Sequence, residues 1–209
     1  NAGFMKPQNN QLFLNNGKGG FTLAPDGPIQ TDGGCSFGSA FADYDNDGDL
    51  DLFVSNGYCA GEIVNFLYRN KGDGTFERDL QSLPNFSTPC SFGTAWSDLN
   101  NDGFQDLVIS TCKNGQNDPE PNNLLFMNQG NKNTWLEIRL AGTQSNRAAI
   151  GAKLRVKSTI NGKSIWQMRE ISAQTGYAGQ NSLTAHFGLA QAKQAEELVI
   201  EWPSGVKQQ

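Results

Sequence analysis

The 209-residue sequence has little of what membrane proteins and common enzymes need. No apolar run approaches the roughly 18 residues of a membrane-spanning helix, so we expect no membrane insertion. The opening "NAGFMKPQNN" lacks the charged start and apolar core of a signal peptide, which indicates a mature protein or an excised fragment. Ser36 in "GCSFG" (34–38) has the G-x-S-x-G spacing, but no helix pattern follows it, so the sequence shows no G-x-S-x-G nucleophile elbow. No glycine-rich phosphate loop joins a strand to a helix either. The chain is therefore not expected to be an enzyme.

Helical patterns are almost absent. Nothing like a 12-residue amphipathic helix occurs before residue 190, and only "LAQAKQAEEL", residues 189–198, could form a short helix. The 24 glycines, together with many asparagines and aspartates, are typical of short strands joined by tight turns. The sequence therefore predicts an all-β fold.

Charge is divided unevenly along the chain. Residues 1–131 carry 16 acidic and six basic side chains, whereas residues 132–209 carry five acidic and ten basic ones. The change falls in "NQGNKNTW", which predicts a domain boundary near residue 131. The acidic first part disfavours nucleic acid as a partner, and the basic residues of the second part show no aromatic stacking pattern. We therefore expect no nucleic-acid partner.

The first part contains internal repeats. "NQLFLNNGKGGF" (10–21) recurs as "NFLYRNKGDGTF" (65–76), and "CSFGSAFADYDNDGDLDLFVSN" (35–56) recurs as "CSFGTAWSDLNNDGFQDLVIST" (90–111), both after 55 residues. A third copy begins at "NLLFMNQGN" (123–131) and then diverges. Each unit predicts about four strands, which is the content of a propeller blade. Residues 1–131 should therefore form two full blades and a partial third.

Aspartates crowd into one loop of each repeat. In the first unit five aspartates fall within nine residues, and the second unit keeps the pattern with one asparagine. Counted from the first aspartate, side-chain oxygens stand at positions 1, 3, 5 and 9, glycine stands at 6, and position 7 offers its carbonyl. The candidate metal ligands are Asp43, Asp45, Asp47, Asp49 and Asp51 in the first loop, and Asp98, Asn100, Asp102, Phe104 and Asp106 in the second.

These oxygen-rich loops suit Ca²⁺, which takes six to eight oxygen ligands at about 2.3–2.6 Å and tolerates irregular geometry, whereas Mg²⁺ requires a near-ideal octahedron. The loops contain no His or Cys, which argues against zinc and copper. An EF-hand loop also begins D-x-D-x-D-G, but it needs a glutamate at position 12, where Val54 and Ile109 stand here. Solvated Asx turns are the remaining alternative. Because the pattern occurs twice in register, we predict two Ca²⁺ sites.

Both parts of the chain resemble known families. The D-x-D-x-D-G-x-x-D loop between strands, in a unit that carries Phe-Gly, resembles the FG-GAP (VCBS) repeats of integrin-type β-propellers. Beyond residue 131, four segments resemble the ASPIC/UnbV domain, which follows FG-GAP repeats in extracellular proteins of the cartilage acidic protein type; they are "SNRAAIGAKLRV", "GYAGQNS", "HFGL" and "IEWPSG". The resemblance implies a partial β-propeller followed by an ASPIC/UnbV-like domain over residues 132–209. Alternating apolar residues there predict a small β-sandwich.

The four cysteines flank the two aspartate loops. Cys35 lies eight residues before the first loop and Cys59 eight residues after it, while Cys90 lies eight residues before the second loop and Cys112 six residues after it. In hairpins folded about these loops, the members of each pair come opposite each other. We therefore predict disulfides Cys35–Cys59 and Cys90–Cys112, which indicate an oxidising, secreted or cell-surface setting.

Two functions remain open. The favoured one is a non-catalytic, extracellular, calcium-binding module for adhesion or surface assembly, with an extracellular protein or glycan as partner. The alternative is the non-catalytic propeller part of a larger secreted enzyme or carbohydrate-binding protein. The single histidine, His186, is expected to be a packed structural residue, and Trp135, Trp166 and Trp202 are expected in the core rather than on a sugar-binding surface.

Partial blades also predict open strand edges. Unpaired edges recruit other strands, so we expect something to cover them. One candidate is the rest of a longer propeller, of which this chain would be a piece. The other is a neighbouring copy that completes the sheet, which would produce self-assembly.

Overall fold

The computed structural model describes residues 6–83, 88–113 and 119–209. The described chain is almost entirely β, with fifteen strands and one four-residue helix, α1 (Pro28–Thr31). No helix in these ranges is long and apolar enough to cross a membrane. The all-β prediction is confirmed.

The first repeat forms a complete four-stranded blade. Its strands follow one another in antiparallel order: β3 (Ser36–Ala42), β4 (Asp51–Asn56), β5 (Phe66–Asn70) and β6 (Phe76–Arg78). The preceding hairpin, β1 (Phe13–Asn15) and β2 (Phe21–Leu23), is a separate two-stranded sheet. By the repeat, this hairpin corresponds to β5 and β6, the outer half of a blade.

Among its described residues, the second repeat forms three strands of a blade: β7 (Cys90–Ser97), β8 (Asp106–Cys112) and β9 (Leu124–Phe126). Residues 134–136, which by the repeat occupy the place of β6, belong to β10 (Thr134–Ile138). This strand pairs with β13 (Ala185–Ala190) instead. The fourth strand of the blade is thus diverted into the second part of the chain.

The diversion has a cause in the turn. Both complete hairpins have two glycines with positive φ, and the second of each pair, Gly19 or Gly74, has φ of 81° or 86°. The third copy keeps the first glycine, Gly130, but has Lys132 where the second should be. A lysine is disfavoured at positive φ, so the tight turn that would return the chain to β9 is lost.

The second part is a small β-sandwich, as expected. One sheet pairs β10 with β13, and the other has the order β12-β11-β14-β15. Their bounds are β11 (Lys153–Ile160), β12 (Lys163–Glu170), β14 (Glu197–Glu201) and β15 (Lys207–Gln208). Leu154 and Val156 of one sheet and Phe187 of the other are fully buried in a shared core.

The two blades pack side by side, as the blades of a propeller do. Strands β3 and β7 lie next to each other, and the apolar core between the sheets includes Phe53, Trp96 and Ile109. The rings of Phe53 and Trp96 meet edge to face at 6.4 Å. In the described chain these blades do not close into a ring.

The "GYAGQNS" segment of the second part lies across both blades. The main-chain N–H of Trp96 donates to Asn181 Oδ1 at 3.0 Å, and Asn181 Nδ2 donates to the carbonyl of Phe41 at 3.2 Å. A Cβ at Gly179 would lie 2.1 Å from the carbonyl oxygen of Thr94. This glycine therefore permits an approach of two backbones that a side chain would prevent.

The structure has the two disulfides that the sequence predicts. Cys35 pairs with Cys59, and Cys90 pairs with Cys112, with Cα–Cα distances of 5.5 and 4.9 Å. The second pair also stands at opposite positions in the register of β7 and β8. Each bridge therefore closes the hairpin that carries one aspartate loop.

Two minor expectations are wrong. Residues 189–198 form the end of β13, a turn and the start of β14 rather than a short helix. Trp135 and Trp166 are 42% and 49% exposed rather than in the core. Strand alternation alone could not show which face of an edge strand is covered.

The second blade and the second part of the chain lie close together where Gly93 faces Ala178. Replacing Gly93 by alanine would put a Cβ 2.3 Å from the carbonyl oxygen of Ala178, a backbone atom that cannot move aside. We expect Gly93→Ala to lower the free energy of unfolding by about 1–3 kcal/mol. Gly27→Ala is the control, because its nearest neighbour would lie at 3.6 Å. Equal stability of both variants in denaturant titrations would contradict the close contact between Gly93 and Ala178.

Candidate metal centre

The first aspartate loop gathers three carboxylates. It joins β3 to β4, so Asp43 follows one strand and Asp51 begins the other. Ligand oxygens of Asp43, Asp45 and Asp51 all lie within 4.8 Å of one another, and Asp43 and Asp51 are buried. Among the described residues, this is the one group of three acidic, histidine or cysteine side chains that meets so closely.

The loop is shaped by hydrogen bonds from its own backbone. Asp43 Oδ1 accepts the N–H of Asp47 at 3.1 Å, and Oδ2 accepts the N–H of Gly48 at 3.0 Å. Asn46 and Gly48 have φ of 58° and 102°, which are values that Asn and Gly tolerate best. The alternation of Asp, Asn and Gly therefore folds the chain back so that its side chains converge.

Asp51 ties the loop to the blade. Its Oδ2 accepts the N–H of Tyr44 at 3.2 Å, and its Oδ1 accepts the N–H of Asn70 at 2.8 Å. The Asn70 side chain in turn donates to the carbonyl of Leu50 at 3.1 Å. The aspartate loop and the N-x-G hairpin of one repeat are thus a single hydrogen-bonded unit.

The second loop repeats these bonds. Asp98 accepts the N–H groups of Asp102 and Gly103 at 3.1 and 2.7 Å. Asp106 accepts those of Leu99 and Asn128 at 2.9 and 2.8 Å. The repeated sequence pattern therefore specifies a repeated loop geometry.

The loops differ in their ligand groups. The second loop has Asn100 at the position of Asp45, and Asn100 Nδ2 donates to Asp102 Oδ2 at 2.8 Å. It therefore offers one carboxylate fewer. Asp47 lies outside the group of three, and its place as a ligand stays a prediction, as do the carbonyls of Asp49 and Phe104.

Comparisons with known proteins agree with this architecture. A family model described as an FG-GAP-like repeat matches residues 3–54, and one described as ASPIC and UnbV matches residues 142–209. The chain is an FG-GAP-like repeat protein with an ASPIC and UnbV domain. The second aspartate loop lies outside the matched residues 3–54, but it has the same hydrogen-bond pattern as the first loop. We call residues 1–131 the FG-GAP region and residues 132–209 the ASPIC/UnbV domain.

Curated relatives carry one name. "Cartilage acidic protein 1" of Xenopus tropicalis is 31% identical over 168 residues, which is 78% of this chain and 25% of the relative. The proteins of that name from Homo sapiens and Mus musculus are each 29% identical over 168 residues, covering 24% and 25% of their length. The chain thus spans about a quarter of the length of these relatives. Neither the two family descriptions nor this name denotes an enzyme.

Burial makes the carboxylates of the first FG-GAP loop hard to ionise without a cation. Removal from water, reinforced by neighbouring aspartates, raises the pKa of Asp51 to about 9. Burial likewise raises the pKa of Asp43 to about 7 and that of Asp47 to about 6. Arg169 opposes the shift at Asp43, but its guanidinium nitrogen is 3.9 Å from Asp43 Oδ2. Arg69 likewise opposes the rise in pKa at Asp45 and Asp47, but neither arginine cancels the effect of burial.

The chemistry of the donor set fits a hard divalent cation. Carboxylate oxygens converge on one point, the loop supplies no nitrogen or sulfur ligand, and like charges repel unless a cation separates them. Asp43, Asp45 and Asp51 would hold the ion in the first loop. Asp98, Asn100 and Asp106 are their counterparts in the second, and Asp102 corresponds to Asp47.

The ASPIC/UnbV domain contributes groups to the first loop that sequence reasoning missed. The N–H of Gly188 donates to Asp43 Oδ2 at 3.0 Å. His186 is buried, and its Nε2 lies 2.6 Å from Asn46 Oδ1. These partners are 140 residues or more apart in the chain. The family motif "HFGL", which contains both His186 and Gly188, was the signal available in the sequence.

The raised pKa values predict an unusual pH dependence. In the calcium-free protein, folded carboxyl groups keep protons that the unfolded chain releases above about pH 4. The folded state therefore binds more protons between about pH 4 and the pKa of Asp51, about 9, so stability falls as the pH rises. We expect the melting temperature in chelator to fall from pH 5 to pH 8.

The same measurement in saturating Ca²⁺ is the control. A bound ion replaces the protons on the carboxyl groups, so the melting temperature should no longer fall between pH 5 and pH 8. For the same reason, calcium affinity should increase with pH. A melting temperature that rises from pH 5 to pH 8 in chelator would contradict the burial of these charges.

Proposed function

We propose that this chain is a non-catalytic, extracellular, calcium-binding interaction module in which each aspartate loop holds one Ca²⁺. The convergence of Asp43, Asp45 and Asp51 within 4.8 Å is the observation that carries the proposal. The loop's recurrence in the second repeat, with matching hydrogen bonds, supports a second site. Calcium would supply the positive charge that these buried carboxylates lack.

An extracellular setting is supported by two observations. Among the described residues, all four cysteines form disulfides, and such bridges persist in oxidising compartments. The relatives are named for cartilage, a tissue rich in extracellular matrix. Free calcium is also abundant outside cells, so loops of moderate affinity would be filled there.

The partner is proposed to be an extracellular protein or glycan. The FG-GAP region has an excess of acidic side chains, and β9 ends its sheet with an unpaired edge in the described structure. A strand from a neighbouring blade, domain or copy would pair with this edge. Adhesion or surface assembly is the role that such surfaces fit.

A carbohydrate-binding part of a larger protein is the second candidate. The exposed Trp166 is the observation that favours it, because an aromatic face in solution can stack on a sugar ring. A glycan array, combined with an activity screen on the full-length parent protein, separates the two. Glycan binding that Trp166→Ala abolishes would favour this second candidate over the first.

The proposed sites predict a binding stoichiometry and a reciprocal pair of variants. Titration calorimetry should find two Ca²⁺ per chain. Asp45→Asn gives the first loop the ligands of the second, and we expect it to weaken one site about tenfold, since affinity follows the number of charged ligands. Asn100→Asp makes the opposite exchange and should tighten the other site.

The control for charge is Asp26→Asn, which removes one exposed carboxylate that is not among the candidate ligands. It should leave both affinities unchanged. Fewer than two bound Ca²⁺, or a melting temperature that chelator does not lower, would contradict the proposed function.

A further inference from the structure

Asn46, at position 4 of the first loop, has an environment that its counterpart lacks. It is fully buried, and its Nδ2 donates to the carbonyl of Gly103 in the second loop at 2.9 Å. Its Oδ1 therefore faces His186 Nε2 at 2.6 Å, so the imidazole N–H is the donor. Its carbonyl accepts the N–H of Ala190 at 2.8 Å. One residue thus joins both loops to the ASPIC/UnbV domain.

Two other residues of the first loop, Asp43 and Asp45, also accept hydrogen bonds from outside the loop. Asp43 Oδ2 accepts the N–H of Gly188 at 3.0 Å. The carbonyl of Asp45 accepts the side-chain amides of Asn131 and Asn133 at 2.6 and 2.9 Å. Positions 1 and 4 of the first loop therefore receive hydrogen bonds from the ASPIC/UnbV domain, and position 3 receives them from both sides of the boundary at residue 131.

The second loop offers an internal comparison. Asn101 stands at the position of Asn46 with almost the same backbone, φ of 60° against 58°. It is exposed, and within the part of the chain that the structure describes its side chain makes no hydrogen bond. Asp98 receives hydrogen bonds from its own loop alone among the described residues.

We propose that the ASPIC/UnbV domain completes the first calcium site, with Asn46 as the positioning residue, so that calcium binding and domain docking stabilise each other. The inference rests on the proposed function, because it requires that this loop binds Ca²⁺. Docking orders the loop before the ion arrives and so lowers the entropic cost of binding. By linkage, the ion must strengthen docking by the same factor.

Close packing makes the contact sensitive to the loop's shape. A Cβ at Gly188 would lie 2.2 Å from Asp43 Oδ2 and 2.5 Å from the Cα of Asn46. The domain therefore fits the loop in one arrangement of these atoms. A loop that opens without its ion no longer matches the surface that covers it.

A matched pair of glycine variants tests the proposal. Asn46→Gly and Asn101→Gly keep a residue that tolerates positive φ and add the same backbone freedom, but only the first removes bonds to the ASPIC/UnbV domain. With the whole chain, calorimetry should show about tenfold weaker Ca²⁺ binding at one site in Asn46→Gly. Asn101→Gly should match the unaltered protein within about twofold.

Hydrogen exchange of the unaltered protein gives a second test that needs no variant. Calcium should slow exchange of the Gly188 and Ala190 amides, which bond to the first loop, and leave unchanged the amide of Trp202, which bonds to the carbonyl of Val206 instead. Asn46→Gly should lose this calcium-dependent protection, whereas Asn101→Gly should keep it.

The outcomes separate the two proposals. If no Ca²⁺ binds at either loop, the proposed function and this inference both fail. If two Ca²⁺ bind, but the two glycine variants have equal affinities and the Gly188 and Ala190 amides show no calcium-dependent protection, the inference is overturned while the proposed function stands.

Discussion

Repulsion among the clustered carboxylates of the first aspartate loop opposes the folding of that loop. Asp43 and Asp51 end and begin adjacent strands of the first blade, and each uses its oxygens to hold the backbone of the loop between them. The groups that shape the turn are therefore the groups whose charges oppose it. The proposed cation would resolve the conflict, because it would neutralise the charge and leave the hydrogen bonds intact.

The same loop lies where the two parts of the chain meet. Lys132 stands where the complete hairpins have a turn glycine, and in the described structure β10 enters the sheet of the ASPIC/UnbV domain instead of completing the second blade. This exchange brings β13 and its Gly188 against the first loop. The domain is thus fastened to the blades by a strand, by the "GYAGQNS" segment and by the loop itself.

Local patterns were sufficient for much of this structure. The repeat spacing located the blade strands and both aspartate loops, and the symmetry of the cysteines gave both disulfides. A strand with one buried face alternates apolar and polar side chains, so the alternation of apolar residues was enough to predict the sandwich. These features depend on residues close together in the sequence or on the repeat.

Contacts between distant segments could not be predicted in the same way. Nothing near Asn46 distinguishes it from Asn101, and only the fold shows that one is buried under His186 while the other is exposed. Trp166 alternates as a core residue does, but it lies on an exposed face of β12 in the described structure. Burial on an edge strand depends on what packs against it, which strand alternation does not encode.

Anomalous diffraction from crystals grown in Ca²⁺ would locate calcium in the proposed aspartate-loop sites. We expect one peak within about 2.3–2.6 Å of carboxylate oxygens of Asp43, Asp45 and Asp51, and a second in the loop of Asp98 and Asp106. Ordered loops without an anomalous peak, in crystals saturated with calcium, would contradict the proposed sites.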